Sequence, residues 1–305
     1  MNTATALTPV NPYQPIVRIV IDGLNSPKSK TAYEKAITHF LAWCDAERRT
    51  FNKATTQHYK TRLEARGLAP ASVNQQLSAI RKLAAEAADN GLLDSTLANG
   101  IARVKGVKQA GVRSGNWLTR EQAQDLLNAP DIATLKGLRD RALLAVMLGA
   151  GLRRAEVAAL ECSHIQQRDA RWMIVDLVGK GQRVRSVPMP SWTKQAIDEW
   201  ATAARVAQGR VFRPIHKGGF ITGDAMTAQA VHDVVKEYGS ALVLNIAAHD
   251  LRRTFAKLAH KGGSGLDQIQ LSLGHASIKT TERYLGVQQN LHDAPCDHLG
   301  LNIGE

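Results

Sequence analysis

The sequence predicts a mainly α-helical protein with a small β-hairpin, built as an all-helical front domain followed by a mixed α/β second domain. Three observations carry that expectation. Apolar residues recur at helical spacing through most of residues 29–100. A stretch at 104–116 with three glycines, three basic residues and no acidic one breaks the pattern. Beyond it, two strand-forming runs at 172–178 and 183–187 flank Gly179-Lys180-Gly181-Gln182, a turn sequence, which reads as a hairpin. The 305 residues suit two domains, each able to bury its own core.

Residues 1–25 contain three prolines and little periodicity, and read as a loose or extended lead-in. The helical front domain is expected over 26–103. Its first helix follows Ser29, with Tyr33, Ala36, Ile37, Phe40, Leu41 and Cys44 on one face. A second covers about 56–65 and ends at Gly67. A third starts near Pro70, carries Val73, Leu77, Ile80 and Leu83, and stops at Asn90-Gly91. A short fourth lies around Leu97. Residues 104–116 read as a linker whose extended reach is roughly 40 Å. The second domain is expected over 117–290. It opens on the capping-box pattern Thr119-Arg120-Glu121-Gln122. An apolar helix follows over 138–148 and another begins at Arg154, with the hairpin next and helices returning from Ala225. Residues 291–305 read as a tail.

The formal net charge is +12. It is uneven: residues 1–115 hold 16 basic and 8 acidic side chains, and the remainder 23 and 19. A basic protein with an acidic partner points first to nucleic acid. The front segment resembles a phosphate clamp, while the more mixed charges of the rear suit an active site. Cys44, Cys162 and Cys296 form no Cys-x-x-Cys pair, so neither a zinc site nor a disulfide framework is expected. His292, Cys296 and His298 are a weak metal-like trio that is set aside. With neither a leader-like start nor a bilayer-length apolar run, a cytoplasmic protein without membrane attachment is expected.

Four segments of the second domain could carry chemistry. Gly149-Ala150-Gly151-Leu152-Arg153-Arg154-Ala155-Glu156 places glycines and an arginine at a helix start, a pattern that favours phosphate. Lys180 lies between glycines at a hairpin tip, with Arg183 and Arg185 on the next strand. His249-Asp250-Leu251-Arg252-Arg253 puts His249 and Arg252 on one helix face, able to grip two oxygens of one phosphate. In 273–285, Gly274 reads as a helix C-cap and Ser277 as the next N-cap, with His275 in the joint and Tyr284 nine residues beyond it. Each segment alone also has an ordinary reading: a solvated arginine, a basic hairpin face, a helix-start histidine, a core tyrosine.

Together they resemble the tyrosine recombinase (phage integrase) family. That family carries Gly-Leu-Arg-x-x-Glu, a Gly-Lys-Gly hairpin, His-x-Leu-Arg, and Leu-Gly-His followed nine residues later by a tyrosine. The matching positions are Arg153, Lys180, His249, Arg252, His275 and Tyr284, in the same order. The helical front domain resembles the family's core-binding domain, and the second its catalytic domain. Many members have histidine where this chain has Arg253. An additional arm-binding domain is not seen, so the chain resembles the simpler two-domain recombinases, among them chromosome-dimer resolution enzymes and transposon or integron integrases.

The resemblance implies a site-specific recombinase for integration, excision or resolution of DNA elements. Tyr284 is the implied nucleophile, giving a 3′-phosphotyrosine ester. Arg153 and Arg252 bind the non-bridging oxygens, His249 and His275 supply hydrogen bonds and manage protons, and Lys180 protonates the leaving 5′ oxygen. No cofactor, ATP or metal is implied, and neither a Walker loop nor clustered carboxylates are present in the sequence. The implied partner is double-stranded DNA with paired sites, held by a homo-tetramer, with room for a second recombinase. Arg183, Arg185, Lys105, Lys108 and Arg113 are the expected DNA-binding residues. Leu299, Leu301 and Ile303 of the tail are expected to dock on a neighbouring protomer. The rival readings are a type IB topoisomerase-like relaxing enzyme, a catalytically silent DNA-binding regulator, a metal nuclease and a membrane-surface protein.

Overall fold

The computed structural model describes residues 12–108, 116–179 and 183–286, the side chain of Arg283 excepted. Lys180, Arg113, residues 1–11 of the lead-in and the whole 291–305 tail, with its metal-like trio and apolar residues, lie outside the described residues. The chain divides into two compact units, Met1–Val112 and Arg113–Glu305. As expected, the architecture is mainly helical with one small sheet.

The first unit holds α1 (Gln14–Asp22), α2 (Pro27–Ala46), α3 (Lys53–Ala65), α4 (Pro70–Asp89) and α5 (Ser95–Ala102). Prolines begin α2 and α4, where a missing N–H costs nothing. Asn52 and Asp94 cap α3 and α5 by accepting from backbone N–H groups of the first turn. Ile37, Leu77, Ile80, Leu83 and Ile101 are fully buried. Phe40 makes edge-on ring contacts with Tyr59 at 5.1 Å and Phe51 at 5.2 Å. The lead-in departs from expectation. Residues 14–22 form α1, which buries Ile16, Val17 and Val20 against α2 and α4. Pro15 sits in the first turn, so the proline that suggested irregular chain instead starts a helix. The expected linker is also partly held. Asn74 of α4 accepts from Val107 N–H at 2.8 Å and donates to its carbonyl at 2.9 Å, and Arg81 donates to the Val104 carbonyl.

The second unit comprises α6 (Arg120–Asn128), α7 (Leu135–Gly149), α8 (Arg154–Ala158), β1 (Ile165–Arg168), β2 (Arg171–Val178), β3 (Val184–Pro188), α9 (Ser191–Ala204), α10 (Ala228–Ala241), α11 (Ala248–Lys261), α12 (Leu266–Leu273) and α13 (Ile278–Leu285). The Thr119/Gln122 capping box forms in both directions. Helix α7 is the spine: residues 142–148 are all buried, and it packs along α9 and against α11. Each large apolar side chain buried there stabilises the unit by about 1.5–3 kcal/mol. The hairpin is one part of a three-stranded antiparallel sheet ordered β1-β2-β3. Ile174 pairs with both Ile165 and Val187, and Leu177 pairs with Arg185. Strand β1 escapes sequence reading because Ile-Gln-Gln-Arg has one apolar residue and no alternation. Helix α9 adds a helix before Ala225 and fills the core with Trp200, whose Nε1 donates to the Val211 carbonyl at 2.8 Å.

Asp140 on α7 is fully buried. Its Oδ1 accepts from Arg139 Nε at 2.8 Å, and its Oδ2 from Lys136 at 3.0 Å and the Tyr238 hydroxyl at 3.1 Å. Burial, and then the charge of Asp140, push the Tyr238 hydroxyl up to about 12. This knot ties α7 to α10 inside the core. Replacing Asp140 with Ala leaves buried Arg139 uncompensated, and is expected to destabilise the unit by about 3–5 kcal/mol in urea unfolding. A midpoint shift no larger than that of an exposed substitution such as Asp198→Ala would show the knot to be neutral.

Candidate active site

Helix α7 ends at Gly149, and a tight turn leads into α8. Gly151 in that turn has φ +62°, and a Cβ there would meet Phe255 Cδ1 at 2.6 Å. Only glycine allows α11 to sit so close to a left-handed residue. The Gly151 carbonyl accepts from Arg252 on α11 at 2.6 Å. Arg153 takes the N-cap position of α8. Its backbone N–H donates to Glu156 Oε2 at 2.8 Å and its guanidinium to Oε1 at 2.7 Å.

Glu156 is buried and has a second cationic partner. Arg185 of β3 grips it with both terminal nitrogens, at 2.9 and 2.8 Å, a bidentate charge-assisted pair. Burial pushes the carboxyl up, but the hydrogen bonds and charges of Arg185 and Arg153 outweigh it and hold the group down at about 2.

Helix α11 brings His249 and Arg252. Arg252 is 1% exposed. One terminal nitrogen donates to Gly151, the other to the Leu273 carbonyl, and Nε has no partner among the described residues. Arg153 also donates to the Leu273 carbonyl, at 3.4 Å. Burial, then the charge of Arg153, lower Arg252 to about 10. The two guanidiniums therefore converge on one carbonyl. With Arg185 they make three cations around the single carboxylate of Glu156. A surplus of positive charge, with Arg252 and Arg185 largely buried, Arg153 partly exposed and donors in fixed directions, is suited to an oxyanion such as phosphate.

Gly274, with φ +62°, caps α12, and Ser277 starts α13. His275 in the joint places Nδ1 3.0 Å from the Thr281 hydroxyl. Tyr284 on α13 brings its hydroxyl to 3.2 Å from His249 Nε2. Its ring meets those of His249 and His275 edge-on at 5.4 and 5.3 Å. Arg253 lies 5.4 Å from the centre of the Tyr284 ring and pairs with Asp250 at 3.1 Å. Asp250 also accepts from the Ala247 N–H, fixing the start of α11.

Five of the six sequence-matched positions, Arg153, His249, Arg252, His275 and Tyr284, thus meet in one site. Arg183 is exposed where the chain enters β3, and Lys105 and Lys108 are exposed at the end of the first unit. Arg185 differs in placement from these: its side chain is 9% exposed and its nitrogens are taken up within the protein. Sequence reasoning gave Glu156 no role and missed Thr281. The available signal for Glu156 was a carboxylate three residues after a helix-start arginine. Thr281 carried none, since its contact depends on how α12 and α13 are joined. Among the described residues no group of His, Cys, Asp and Glu is placed to hold a metal ion, and no helix is long and apolar enough to cross a membrane.

Residues 116–290 match the Phage integrase family, and residues 19–91 match the Phage integrase, N-terminal SAM-like domain. The chain is 28% identical over 266 residues to Tyrosine recombinase XerC of Pseudomonas syringae pv. tomato, covering 85% of each. It is 29% identical over 259 residues to Tyrosine recombinase XerC of Xylella fastidiosa, covering 83% of this chain and 84% of the relative. In fold it is similar to XerH site-specific recombinase, solved bound to a palindromic difH substrate as a post-cleavage complex. There the TM-score is 0.67 and the identity 19%, over 84% of this chain and 75% of that one.

Both histidines are held below their ordinary range. Burial and then the charges of Arg252, Arg153 and His249 lower His275 to about 4; burial and then Arg253 and Arg252 lower His249. Both imidazoles are therefore neutral at neutral pH. On acidification the unfolded chain binds protons at these histidines from about 6.5 downward, before the folded site does, so stability falls between about 6.5 and about 4. Glu156 adds its own loss only below the ordinary carboxylate range, toward about 2. Melting temperatures are expected to decline from pH about 7 to about 5, and less steeply in His275→Asn, which keeps a partner for Thr281 without the titration. Parallel declines in the two proteins would remove His275 as a contributor.

Proposed function

The chain belongs to the phage integrase family of tyrosine recombinases, enzymes that cleave and rejoin DNA, and on that premise we propose that Tyr284 is its nucleophile. The observation that carries the assignment is the Tyr284 hydroxyl 3.2 Å from the Nε2 of a neutral histidine, beside the buried guanidinium of Arg252. Tyr284 oxygen attacks the phosphorus of a DNA phosphodiester. A bond from that oxygen to phosphorus forms, and the bond from phosphorus to the 5′ oxygen breaks. His249, with its own proton on Nδ1, accepts the phenolic proton at Nε2. Arg153 and Arg252 hold the non-bridging oxygens and offset the charge that grows on them. His275, fixed by Thr281, donates to the phosphate or to the nucleophile side. Lys180 supplies a proton to the departing 5′ oxygen.

The resulting 3′-phosphotyrosine ester retains the energy of the broken bond, so a 5′ hydroxyl of another strand reverses the step without ATP. The reading extends to four protomers on paired DNA sites, acting in the cytoplasm through a four-way junction for integration, excision or resolution of a DNA element. A second recombinase can share that assembly. Lys105, Lys108, Arg113 and Arg183 contact backbone phosphates.

Sites selected from a random DNA pool, offered as nicked duplexes, trap the intermediate. Wild type is expected to give a covalent adduct on a denaturing gel with chelator present, and Tyr284→Phe none. Arg252→Ala is expected to slow adduct formation by about 10²–10³-fold. Tight binding by wild type and Tyr284→Phe with no adduct from either would sink the assignment of an autonomous enzyme and favour a binding protein or an enzyme that needs a partner. An adduct with no recombinant joints on paired intact sites would favour a strand-relaxing enzyme.

A further inference from the structure

Arg185 has the sequence signature of a surface charge on a hairpin, but the structure gives its guanidinium three internal bonds. Nε donates to the Ser272 carbonyl at 3.0 Å, and the two terminal nitrogens donate to Glu156 at 2.9 and 2.8 Å. Glu156 in turn holds both the backbone and the side chain of Arg153. Ser272 precedes Leu273, the carbonyl shared by Arg153 and Arg252. The left-handed turn at Gly274 lies directly on the Arg185 side chain, since a Cβ on Gly274 would meet Arg185 Cδ at 2.9 Å. One side chain on β3 therefore touches the start of α8 and the turn that leads to His275 and Tyr284.

We propose that Arg185 is a positioning residue for cleavage: it holds Glu156, and through it Arg153, and pins the Ser272–Gly274 turn, without contacting DNA. The inference rests on the reading that Arg153 binds the scissile phosphate. Glu156 is shared by two guanidiniums. Without Arg185 its full charge falls on Arg153 and draws that guanidinium toward the carboxylate, away from a phosphate. Lysine cannot replace it, because one ammonium cannot make a bidentate pair and also reach Ser272. The same bonds couple β3, which directly follows the segment holding Lys180 in the sequence, to the tyrosine-bearing end of the site.

Binding and chemistry separate this role from a phosphate contact. Wild type, Arg185→Lys, Arg185→Gln, Arg183→Ala and Tyr284→Phe are compared on one selected DNA site. Affinity is read by anisotropy across a salt series, and adduct formation on nicked duplex under single turnover at saturating DNA. Arg185→Lys and Arg185→Gln are expected to bind within about twofold of wild type with the same salt slope, and to form adduct about tenfold or more slowly. Arg185→Gln added to Glu156→Gln is expected to cost little beyond Glu156→Gln alone, because the two act as one unit. That double variant pairs two neutral amides, so it also serves if Arg185→Gln alone does not fold. A salt slope lowered by about one, with an unchanged saturated rate, would make Arg185 a phosphate contact and overturn the proposal. So would wild-type rates in Arg185→Lys. An absent adduct from wild type itself overturns the nucleophile assignment instead, and this inference with it.

Discussion

Glu156 is a carboxylate buried between two arginines with a third nearby, and its charge decides where those cations can go. A buried ion is tolerated only when its partners satisfy it in good geometry. Here Arg185 supplies a bidentate pair, Arg153 supplies a side-chain and a backbone donor, and the carboxyl is held down at about 2. The cost of burying Arg252 almost completely is offset by two backbone carbonyls, Gly151 and Leu273, and not by a carboxylate of its own. The site is thus over-supplied with positive charge, and it is built from segments far apart in the chain: 151–156, 185, 249–252 and 272–284.

The scaffold that allows this is closely packed where the segments meet. Helix α7 is buried over 142–148 and ends one turn before Arg153, so the arginine inherits its position from the core. At the other end of the same helix, Asp140 links α7 to Tyr238 of α10. Two glycines set the close approaches. Gly151 lets Phe255 of α11 lie against the α7–α8 turn, and Gly274 lets Arg185 lie against the α12–α13 joint. In each case the backbone is left-handed as well as crowded, so a side chain would be excluded twice. The geometry of the site is therefore held by packing and by backbone carbonyls as much as by the charged groups themselves.

These features differ in how far the sequence reveals them. The six motif positions are legible because the spacing within each motif is a local property: His249 and Arg252, for example, stand one helical turn apart whatever the tertiary fold. Helices with regular apolar faces, such as α2 and α4, are legible for the same reason. What stays hidden depends on partners remote in sequence. Arg185 looks like one more cation on a basic hairpin, and only the approach of Ser272 and Glu156 turns it inward. Helix α1 is hidden by Pro15 and a β-branched run that has helical character only once α2 and α4 bury Ile16, Val17 and Val20. Strand β1 is hidden because its pairing with β2, not its composition, makes it a strand.

If Tyr284 is the nucleophile, as proposed, its resting state fits a surplus of arginine charge around it. Burial raises its hydroxyl above the ordinary range, and the opposing charges of Arg252, Arg253 and Arg153 do not reverse it, so the tyrosine is protonated before DNA binds. A free phenolate in this pocket would be held by the arginines and would compete with the phosphate for them. On that proposal, keeping the hydroxyl neutral leaves the guanidiniums to the phosphate oxygens. The charge those donors can stabilise then develops only as the oxygen–phosphorus bond forms. An interaction realised more fully in the transition state than in the ground state is the kind that raises a rate. The lowered histidines fit the same logic, because a neutral His249 can take the phenolic proton at that moment, whereas a charged one could not. Burial lowers His249 and raises Tyr284 together, which makes their proton transfer uphill in the resting site, and the charges of Arg252, Arg253 and Arg153 oppose that by lowering Tyr284.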